Sequence, residues 1–400
     1  MFTKKKKRIF LDYAAATPVS KKALTAYNKA SKYFANPQAL HTEGLEAARV
    51  RDDARNTIAR ILEVKSQELI FTSGGTESNN LALAGYLLAL EDRSIPIKEC
   101  HVVISAIEHP SVLDVFAPFV SRGLQVTTVA PNEYGEMKPE AVAEALRENT
   151  VLVSIALVNS EIGTVQPLHA IAKVLKGRKP HVDGVALGSV VFHTDACQGL
   201  YQSLVTQGLG VDLMSLDSGK VYGPRGAGVL YIRRGVKLAP VLRGGSQEQG
   251  LRPGTENVAL SVGFAAAFKE ASEMRSEEAQ RLSLLRDELL KSLITVLPDL
   301  VVNGDAKHQA PHILNISLPG IDAEYVAMYL DQRGIALSTK SACLERKDSR
   351  ASHVVGALGG DSWRATNTLR ISCGRDTTRG NISTIVERVR EAVETYRRFQ

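Results

Sequence analysis

Short apolar runs alternate with amphipathic stretches over residues 69–235. The apolar runs are rich in β-branched residues, which is typical of buried strands, and the amphipathic stretches have helical spacing. The strand-like runs are ELIFTS, HVVISA, LQVTTVA, TVLVSIALVN, VVFHTDA, VDLMSLD and GVLYIRR. The helical patterns lie at 77–90, 110–120, 139–148 and 167–175. This alternation predicts an α/β fold with a mostly parallel seven-stranded sheet between layers of helices.

The pattern changes near residue 256. Two long helical stretches are expected at 256–274 and 276–297. They are followed by PHILNISLPG, a helix around 323–332, ALSTKSA, TLRISCG and a final helix. This tail predicts a smaller α/β unit. We therefore expect a large domain over 13–262 and a small domain built from 1–12 and 263–400.

The net charge of +6 says little about the body of the chain. Residues 4–8, KKKKR, carry five positive charges, so the remainder is close to balanced. This run is typical of a solvated tail, and an anionic docking site is the alternative. No stretch is long enough to span a bilayer, and IFL is too short for the apolar part of a secretory signal.

The four cysteines, Cys100, Cys197, Cys343 and Cys373, form no CxxC pair. Four cysteines in 400 residues do not make a disulfide framework, so a reducing, cytoplasmic setting is expected. His193 and Cys197 are four residues apart, but no second pair completes a set of ligands, and no metal site is predicted. Cys343 stands out because its surroundings, STKSACLERK, are polar, whereas cysteine usually behaves as a small buried apolar residue.

Three places along the predicted sheet carry candidate chemistry. In FTSGGTESNN a strand ends, two glycines follow and a helix begins, which favours an anion, although a plain turn has the same form. In VVFHTDACQG an apolar strand ends at Asp195, either in a ligand site or as a helix cap. In VDLMSLDSGK a strand leads to Lys220, either a reactive amine or a loop lysine. Together, a phosphate cradle, an acid and a lysine are the parts that bind pyridoxal 5'-phosphate.

The motifs along the chain resemble the cysteine desulfurases of the NifS/IscS-like group, within the class-V, fold-type-I aminotransferases. The resemblance covers nearly the whole chain, with the motifs in family order. They are IFLDYAAATPV, NPQALHTEG, FTSGGTESNN, AIEHPSVL, VNSEIGTVQP, HTDACQ, GGSQEQGLRPGTEN, SACL and LRISCGRDTT. The resemblance implies a sulfurtransferase that converts L-cysteine to L-alanine and delivers the sulfur to a protein of iron–sulfur cluster assembly or of tRNA thiolation.

The resemblance also implies how the cofactor is held. Gly75 and Thr76 would hold its phosphate, and His109 would stack on its ring. Asp195 would pair with the pyridine nitrogen, Gln198 would bond the phenolic oxygen, and Lys220 would form the Schiff base.

Substrate binding, the dimer and sulfur transfer follow from the same resemblance. Asn159 and Arg370 would hold the substrate carboxylate, with Asn36 near the same pocket. Thr255 would reach the cofactor phosphate of a partner subunit, which implies a homodimer. Cys343 would take the sulfur as a persulfide, and nearby basic residues favour its thiolate.

Two departures from the family pattern fall at important positions. The family has Ser-x-His-Lys before the reactive amine, whereas this chain has Asp217-Ser218-Gly219-Lys220. An acid beside a phosphate is repulsive, so we expect Asp217 to turn away and Ser218 to take over phosphate binding. The family's GSAC is KSAC here.

Two other functions fit the same motifs. One is a selenocysteine lyase, or another lyase of the class-V aminotransferase type, which would not use Cys343. The other is a non-catalytic scaffold for sulfur-transfer partners, suggested by the altered residues before Lys220.

Overall fold

The structure is a computed structural model that describes residues 8–305, 307–339 and 351–399. The helices are α1 (Lys21–Ala30), α2 (Thr42–Leu62), α3 (Gly75–Asp92), α4 (Pro110–Leu113), α5 (Ala117–Val120), α6 (Pro139–Ala145), α7 (Leu168–Leu175), α8 (Thr206–Leu209), α9 (Val258–Val296), α10 (Ala323–Gln332), α11 (His353–Ala357), α12 (Trp363–Thr366) and α13 (Ile382–Arg398). The strands are β1 (Ile9–Phe10), β2 (Leu69–Thr72), β3 (His101–Ser105), β4 (Gln125–Val129), β5 (Thr150–Ser154), β6 (His181–Val182), β7 (Val185–Ala186), β8 (Val191–Asp195), β9 (Leu213–Asp217), β10 (Gly228–Ile232), β11 (Val301–Asn303), β12 (Ile313–Ser317), β13 (Ile335–Ala336) and β14 (Thr368–Ser372). Within these ranges no helix has the length and apolar character needed to cross a bilayer.

A seven-stranded sheet forms the larger unit, in the order β2-β10-β9-β8-β5-β3-β4. Strand β10 runs antiparallel to both of its neighbours, and the other pairs are parallel. Each of the seven predicted runs supplies one strand. The predicted α/β fold with a mostly parallel sheet is therefore confirmed.

Both faces of this sheet are buried, which is why its strands read as continuous apolar runs. Neighbouring residues along a strand point to opposite faces. Val102 on β3 packs into one hydrophobic cluster together with Leu83 of α3. Val103 packs into another, together with Ile58 of α2 and Phe264 of α9. Helices thus cover the sheet on both sides.

A second unit is built on the antiparallel sheet β11-β12-β14. Its core joins residues of this sheet, such as Ile316 and Ile371, to Leu289 of α9 and Val389 of α13. Strand β1 pairs in parallel with β13, so the N-terminal segment also contacts this unit. The predicted boundary at 262/263 falls inside α9, and the domain division stays a prediction.

Helix α9 corrects the prediction of two helices. It is one element of 39 residues, from Val258 to Val296. Residues 274–276 are Met, Arg and Ser, so neither proline nor glycine breaks the helix between the two predicted stretches. Phe268 packs into the core of the large sheet, whereas Leu282 packs into the core of the second unit. The change of pattern thus marks a change of packing partner.

Continuity of α9 can be tested at Ser276, which is exposed near its middle. Ser276→Pro should lower the free energy of unfolding by about 3 kcal/mol, because proline removes a backbone hydrogen bond and clashes with the preceding turn. Ser276→Ala should be neutral or slightly stabilising. Denaturant unfolding measures both. Equal stability of the two variants would mean that the helix is interrupted there.

Candidate active site

A cavity of about 210 Å³ lies at the carboxyl ends of the parallel strands. The N-terminus of α3 lines one side of it, and Arg370 of the second sheet lines another. It brings together eight of the residues singled out in the sequence: Gly75, Thr76, His109, Asn159, Asp195, Gln198, Lys220 and Arg370. These residues come from distant segments, so the fold assembles one site from them.

Asp195, the last residue of β8, has both carboxylate oxygens held. Its Oδ1 accepts a hydrogen bond from the amide of Cys197 at 2.9 Å, and its Oδ2 accepts one from Asn79 Nδ2 at 2.8 Å. Asn79 lies one helical turn after Gly75 on α3, which puts both residues on the cavity side. The carboxylate is thereby fixed in orientation.

His109 caps the N-terminus of α4 and continues this network. Its Nδ1 accepts the amide of Ser111 at 3.1 Å and lies 2.8 Å from Ser111 Oγ. The same Oγ accepts a hydrogen bond from Asn79 Nδ2 at 2.9 Å. Burial lowers the pKa of His109, although the nearby Asp195 opposes the shift. The ring is therefore neutral near pH 7, with its proton on Nε2.

Lys220 ends the short turn after β9. Its Nζ donates to the carbonyl oxygens of Ala14 at 2.9 Å and Ala15 at 2.5 Å. Gln198 Nε2 donates to the Ala14 oxygen as well, at 2.7 Å. The N-terminal segment therefore closes one wall of the cavity and holds the amine of Lys220 inside it.

Arg370 is 1% exposed and reaches the cavity from β14. Its Nη2 lies 2.9 Å from Asp12 Oδ1, and its Nη1 donates to the carbonyl of Ser160 at 3.0 Å. Its Nε has no hydrogen-bond partner in the described part of the chain. A buried guanidinium with a free N–H suits a carboxylate ligand.

Asn159 also lines the cavity, but its amide is held by the backbone. Its Nδ2 donates to the carbonyl of Ile107 at 2.8 Å. Its Oδ1 accepts from the amides of Glu161 at 2.9 Å and Ile162 at 3.0 Å. These bonds fix the turn that places Ser160 next to Arg370.

The phosphate end of the cavity differs from expectation. Asp217 Oδ2 accepts the amide of Gly75, the first residue of α3, at 2.8 Å, and its Oδ1 accepts the amide of Gly219 at 2.7 Å. Asp217 therefore does not turn away. Ser218 is buried, points towards Gly223 and does not line the cavity, and its Oγ has no partner in the described residues. The expectation that Ser218 replaces Asp217 in a phosphate site is not met.

These residues fit pyridoxal phosphate at one end only. The acid, the imidazole and the amine that a pyridine ring and its aldehyde need share the cavity. At the phosphate end, the amide of Gly75, the first N–H of α3, is taken by Asp217.

Besides Ser218, two predicted site residues in the described part of the chain lie outside this cavity. Asn36 and Thr255 are exposed and line no part of it within one chain. The loop before Thr255 is fixed by the buried ion pair of Arg55 and Glu248, at 2.6 Å. Cys343 lies outside the described residues.

The other cysteines are poor nucleophiles. Burial raises the pKa of Cys100 to about 12 and that of Cys373 to about 12. Cys197 lines the cavity, but burial and then the charge of Asp195 raise its pKa well above the usual value. A high thiol pKa leaves almost no thiolate at neutral pH.

Sequence reasoning missed Glu108, although its motif, EHPSV, was singled out for His109. Glu108 is 1% exposed, and its Oε1 accepts the amide of Ala156 at 2.8 Å. Its Oε2 has no partner in the described ranges. Burial, with a smaller contribution from Asp195, raises its pKa to about 8. A carboxylic acid three residues after a buried strand, with neither lysine nor arginine next to it, is the signal that could have revealed it.

A fold of this type with a lysine, an acid and a histidine in one cavity defines a class of enzymes that attach a pyridoxal cofactor to lysine. A family model described as aminotransferase class-V matches residues 9–385. The cysteine desulfurase IscS of Dictyoglomus turgidum is 35% identical over 395 residues, which cover 98% of this chain and 96% of that protein.

Two solved structures support the same assignment. A NifS-like protein shares 30% identity with a TM-score of 0.87, covering 97% of this chain and 100% of that one. SspA, solved in complex with cysteine, shares 32% identity with a TM-score of 0.77, covering 91% of this chain and 98% of that one. This chain belongs to the class-V aminotransferase family and, within it, to the NifS/IscS-like cysteine desulfurases. The predicted family is confirmed.

Glu108 should make stability depend on pH. Folding raises its pKa from 4.5 to about 8, so the folded state binds the proton more tightly, and the free energy of unfolding falls as pH rises through this window. Glu108→Gln removes this contribution. The stability of the variant relative to the wild type should therefore increase from pH 5 to pH 8, by up to about 1.4 kcal/mol per unit of pKa shift.

Denaturant unfolding of both proteins at several pH values measures this difference. Contributions from buried histidines are common to the two proteins and cancel. A constant difference across the range would show that Glu108 stays ionised in the folded state.

Proposed function

We propose that this chain is a pyridoxal phosphate-dependent cysteine desulfurase that converts L-cysteine to L-alanine and transfers the sulfur to Cys343. The observation that carries this proposal is the convergence of Lys220, Asp195 and His109 on one cavity, with Arg370 facing it from the second sheet. Family membership supports the same activity. The similar protein SspA has been solved with cysteine bound.

The cofactor, when bound, supplies an electron sink that weakens the carbon–sulfur bond of the substrate. Lys220 provides the amine that attaches it. Asp195, whose two oxygens are fixed by Cys197 and Asn79, would hold a proton on the ring nitrogen. His109 presents a neutral imidazole to the ring. Gln198, which shares the Ala14 carbonyl with Lys220, would bond the phenolic oxygen.

Arg370 orients the substrate by binding its carboxylate. Its side chain is already held by Asp12 and Ser160, so binding a carboxylate requires little reorganisation. Its unpaired Nε is a donor for that carboxylate. Asn159, whose side-chain amide is held by the backbone, fixes the turn next to Arg370. Asn36 belongs to the segment that completes the pocket in the proposed dimer.

Cys343 accepts the sulfur. One L-cysteine and the Cys343 thiol give one L-alanine and a persulfide on Cys343, so atoms balance without an external oxidant or reductant. Burial disfavours the thiolate of Cys100, Cys197 and Cys373, which supports Cys343 as the nucleophile. The persulfide then passes to a sulfur-acceptor protein.

A homodimer completes the site in this proposal. Gln247 Nε2 donates to Gln38 Oε1 at 3.1 Å, so the loop before Thr255 lies next to the segment after Asn36. Large apolar side chains are exposed nearby along the chain, with Phe34 87% and Leu40 90% exposed. Exposed apolar side chains of this size favour an interface. Thr255, which contributes nothing to its own cavity, is then available to the partner subunit.

Sulfur transfer is tested with Cys343→Ser. The variant should bind the cofactor normally and change its absorbance when L-cysteine is added, yet release less than about 1% of the wild-type sulfide, since no thiolate accepts the sulfur. Cys100→Ser, a buried cysteine remote from the cavity, is the matched control and should retain activity.

Peptide mapping after one turnover and alkylation locates the extra sulfur. It should lie on Cys343. Extra sulfur on any other cysteine, or full sulfide release by Cys343→Ser, would contradict the assignment and favour a lyase that needs no enzyme thiol.

The dimer is tested with Leu40→Asp, which places a charge on the proposed interface. Sedimentation should show a dimer for the wild type and a monomer for this variant, because burying an unpaired charge is unfavourable. Leu284→Asp, on the 66% exposed Leu284 of α9, is the matched control and should stay dimeric. A dimeric Leu40→Asp, or a monomeric wild type, would refute this interface.

A further inference from the structure

The carboxylate of Asp217 occupies the place where an anion would meet helix α3. It accepts the amide of Gly75 with one oxygen and the amide of Gly219 with the other, at 2.8 and 2.7 Å. A side-chain carbon added to Gly74 would lie 3.0 Å from Oδ2. The carboxylate therefore packs against Gly74, which precedes α3, and hydrogen-bonds Gly75, the first residue of α3.

Asp217 acts as an internal ligand of that helix. The amide groups of a helix N-terminus carry partial positive charge, and an anion placed there is stabilised. Within the described ranges Asp217 forms no salt bridge, so backbone amides are its partners. The other charged and titratable groups that share the cavity are Lys220, Arg370, Asp195, His109 and Cys197.

Neither neighbour of Asp217 on the way to Lys220 takes over the role of phosphate ligand, and of the two residues predicted to hold the phosphate Thr76 lines the cavity beside Gly75. Ser218 points away, towards Gly223, and Gly219 has no side chain. A phosphate that approaches Gly75 therefore meets a carboxylate. The two anions repel each other and compete for the same N–H groups.

We propose that Asp217 is an internal substitute for the cofactor phosphate, so that this chain recognises the pyridoxal ring and its aldehyde and gains little affinity from the phosphate. The inference rests on the proposed function, since it concerns the same cavity. It assigns Asp217 as a determinant of cofactor specificity. The ring-binding groups, Asp195, His109 and Lys220, then carry most of the binding.

Cofactor binding is the direct test, measured as the dissociation constants of pyridoxal phosphate and of pyridoxal by absorbance titration. In the wild type, pyridoxal phosphate should bind less than about tenfold more tightly than pyridoxal. In Asp217→Ser, which frees the Gly75 amide, the ratio of the two constants should rise by about ten- to a hundredfold, the usual contribution of an anion bonded at a helix N-terminus. Because the same two ligands are compared in each protein, differences between the ligands that do not depend on residue 217 drop out when the ratios are compared.

Inorganic phosphate gives a second readout that needs no pyridoxal ring. Removing the carboxylate removes a helix cap, so apo Asp217→Ser should melt below the wild type. Added phosphate should raise the melting temperature of apo Asp217→Ser and leave that of the wild-type apoprotein nearly unchanged. Asp217→Asn keeps an acceptor for the Gly75 amide but removes the charge. The ratio of the two dissociation constants should therefore rise less than in Asp217→Ser. This variant replaces Asp217→Ser in the test if the serine variant does not fold.

Asp212→Asn is the matched control. Asp212 directly precedes β9, at the strand end away from the cavity, and its carboxylate bonds Arg233 and the amide of Phe192. This variant loses the same charge five residues from Asp217 and should keep the wild-type ratio.

Two results separate failure of this inference from failure of the proposed function. A wild type that binds pyridoxal phosphate hundreds of times more tightly than pyridoxal, with the same ratio in Asp217→Ser, would overturn the role of Asp217 and leave the desulfurase intact. The proposed function itself fails if neither ligand binds the wild type. It also fails if Lys220→Ala binds both ligands as tightly as the wild type does.

Discussion

The parallel pairing of β3, β5, β8 and β9 is the constraint on which the site depends. Parallel strands that are buried on both faces end at the same edge of a sheet, and the segments that follow them meet there. His109 follows β3, Asn159 follows β5, Asp195 ends β8 and Lys220 follows β9. None of these residues is near another in sequence, and the sheet alone brings them within one cavity.

Hydrogen bonds then convert proximity into orientation. Asn79 joins Asp195 to Ser111, and Ser111 sets the ring of His109, so one amide side chain couples the acid to the imidazole. In a buried site such bonds are stronger than in water, and each partner must be satisfied. The second sheet contributes Arg370, which is held by Asp12 from the N-terminal segment. The site is therefore complete only when that segment and both sheets pack together.

Buried apolar runs made the large sheet predictable, because a strand covered on both faces has a continuous apolar sequence. Asp195 and Lys220 could be predicted for a related reason, since polar residues directly after such runs are placed at the sheet edge. The continuity of α9 could not, because its two halves pack into different cores and their patterns differ. The direction in which a side chain points could not be predicted from the sequence either. Asp217 and Ser218 are adjacent, and only the fold decides that the carboxylate reaches Gly75 while the hydroxyl points away.

The position of the covalent bond to the cofactor tests the account most directly. Purified protein loaded with pyridoxal phosphate, reduced with borohydride and digested should carry the label on the peptide that contains Lys220, because this amine lies in the cavity with Asp195 and His109. A label on another lysine would contradict the site described here. No label at all, from protein that is folded and dimeric, would contradict the proposed function.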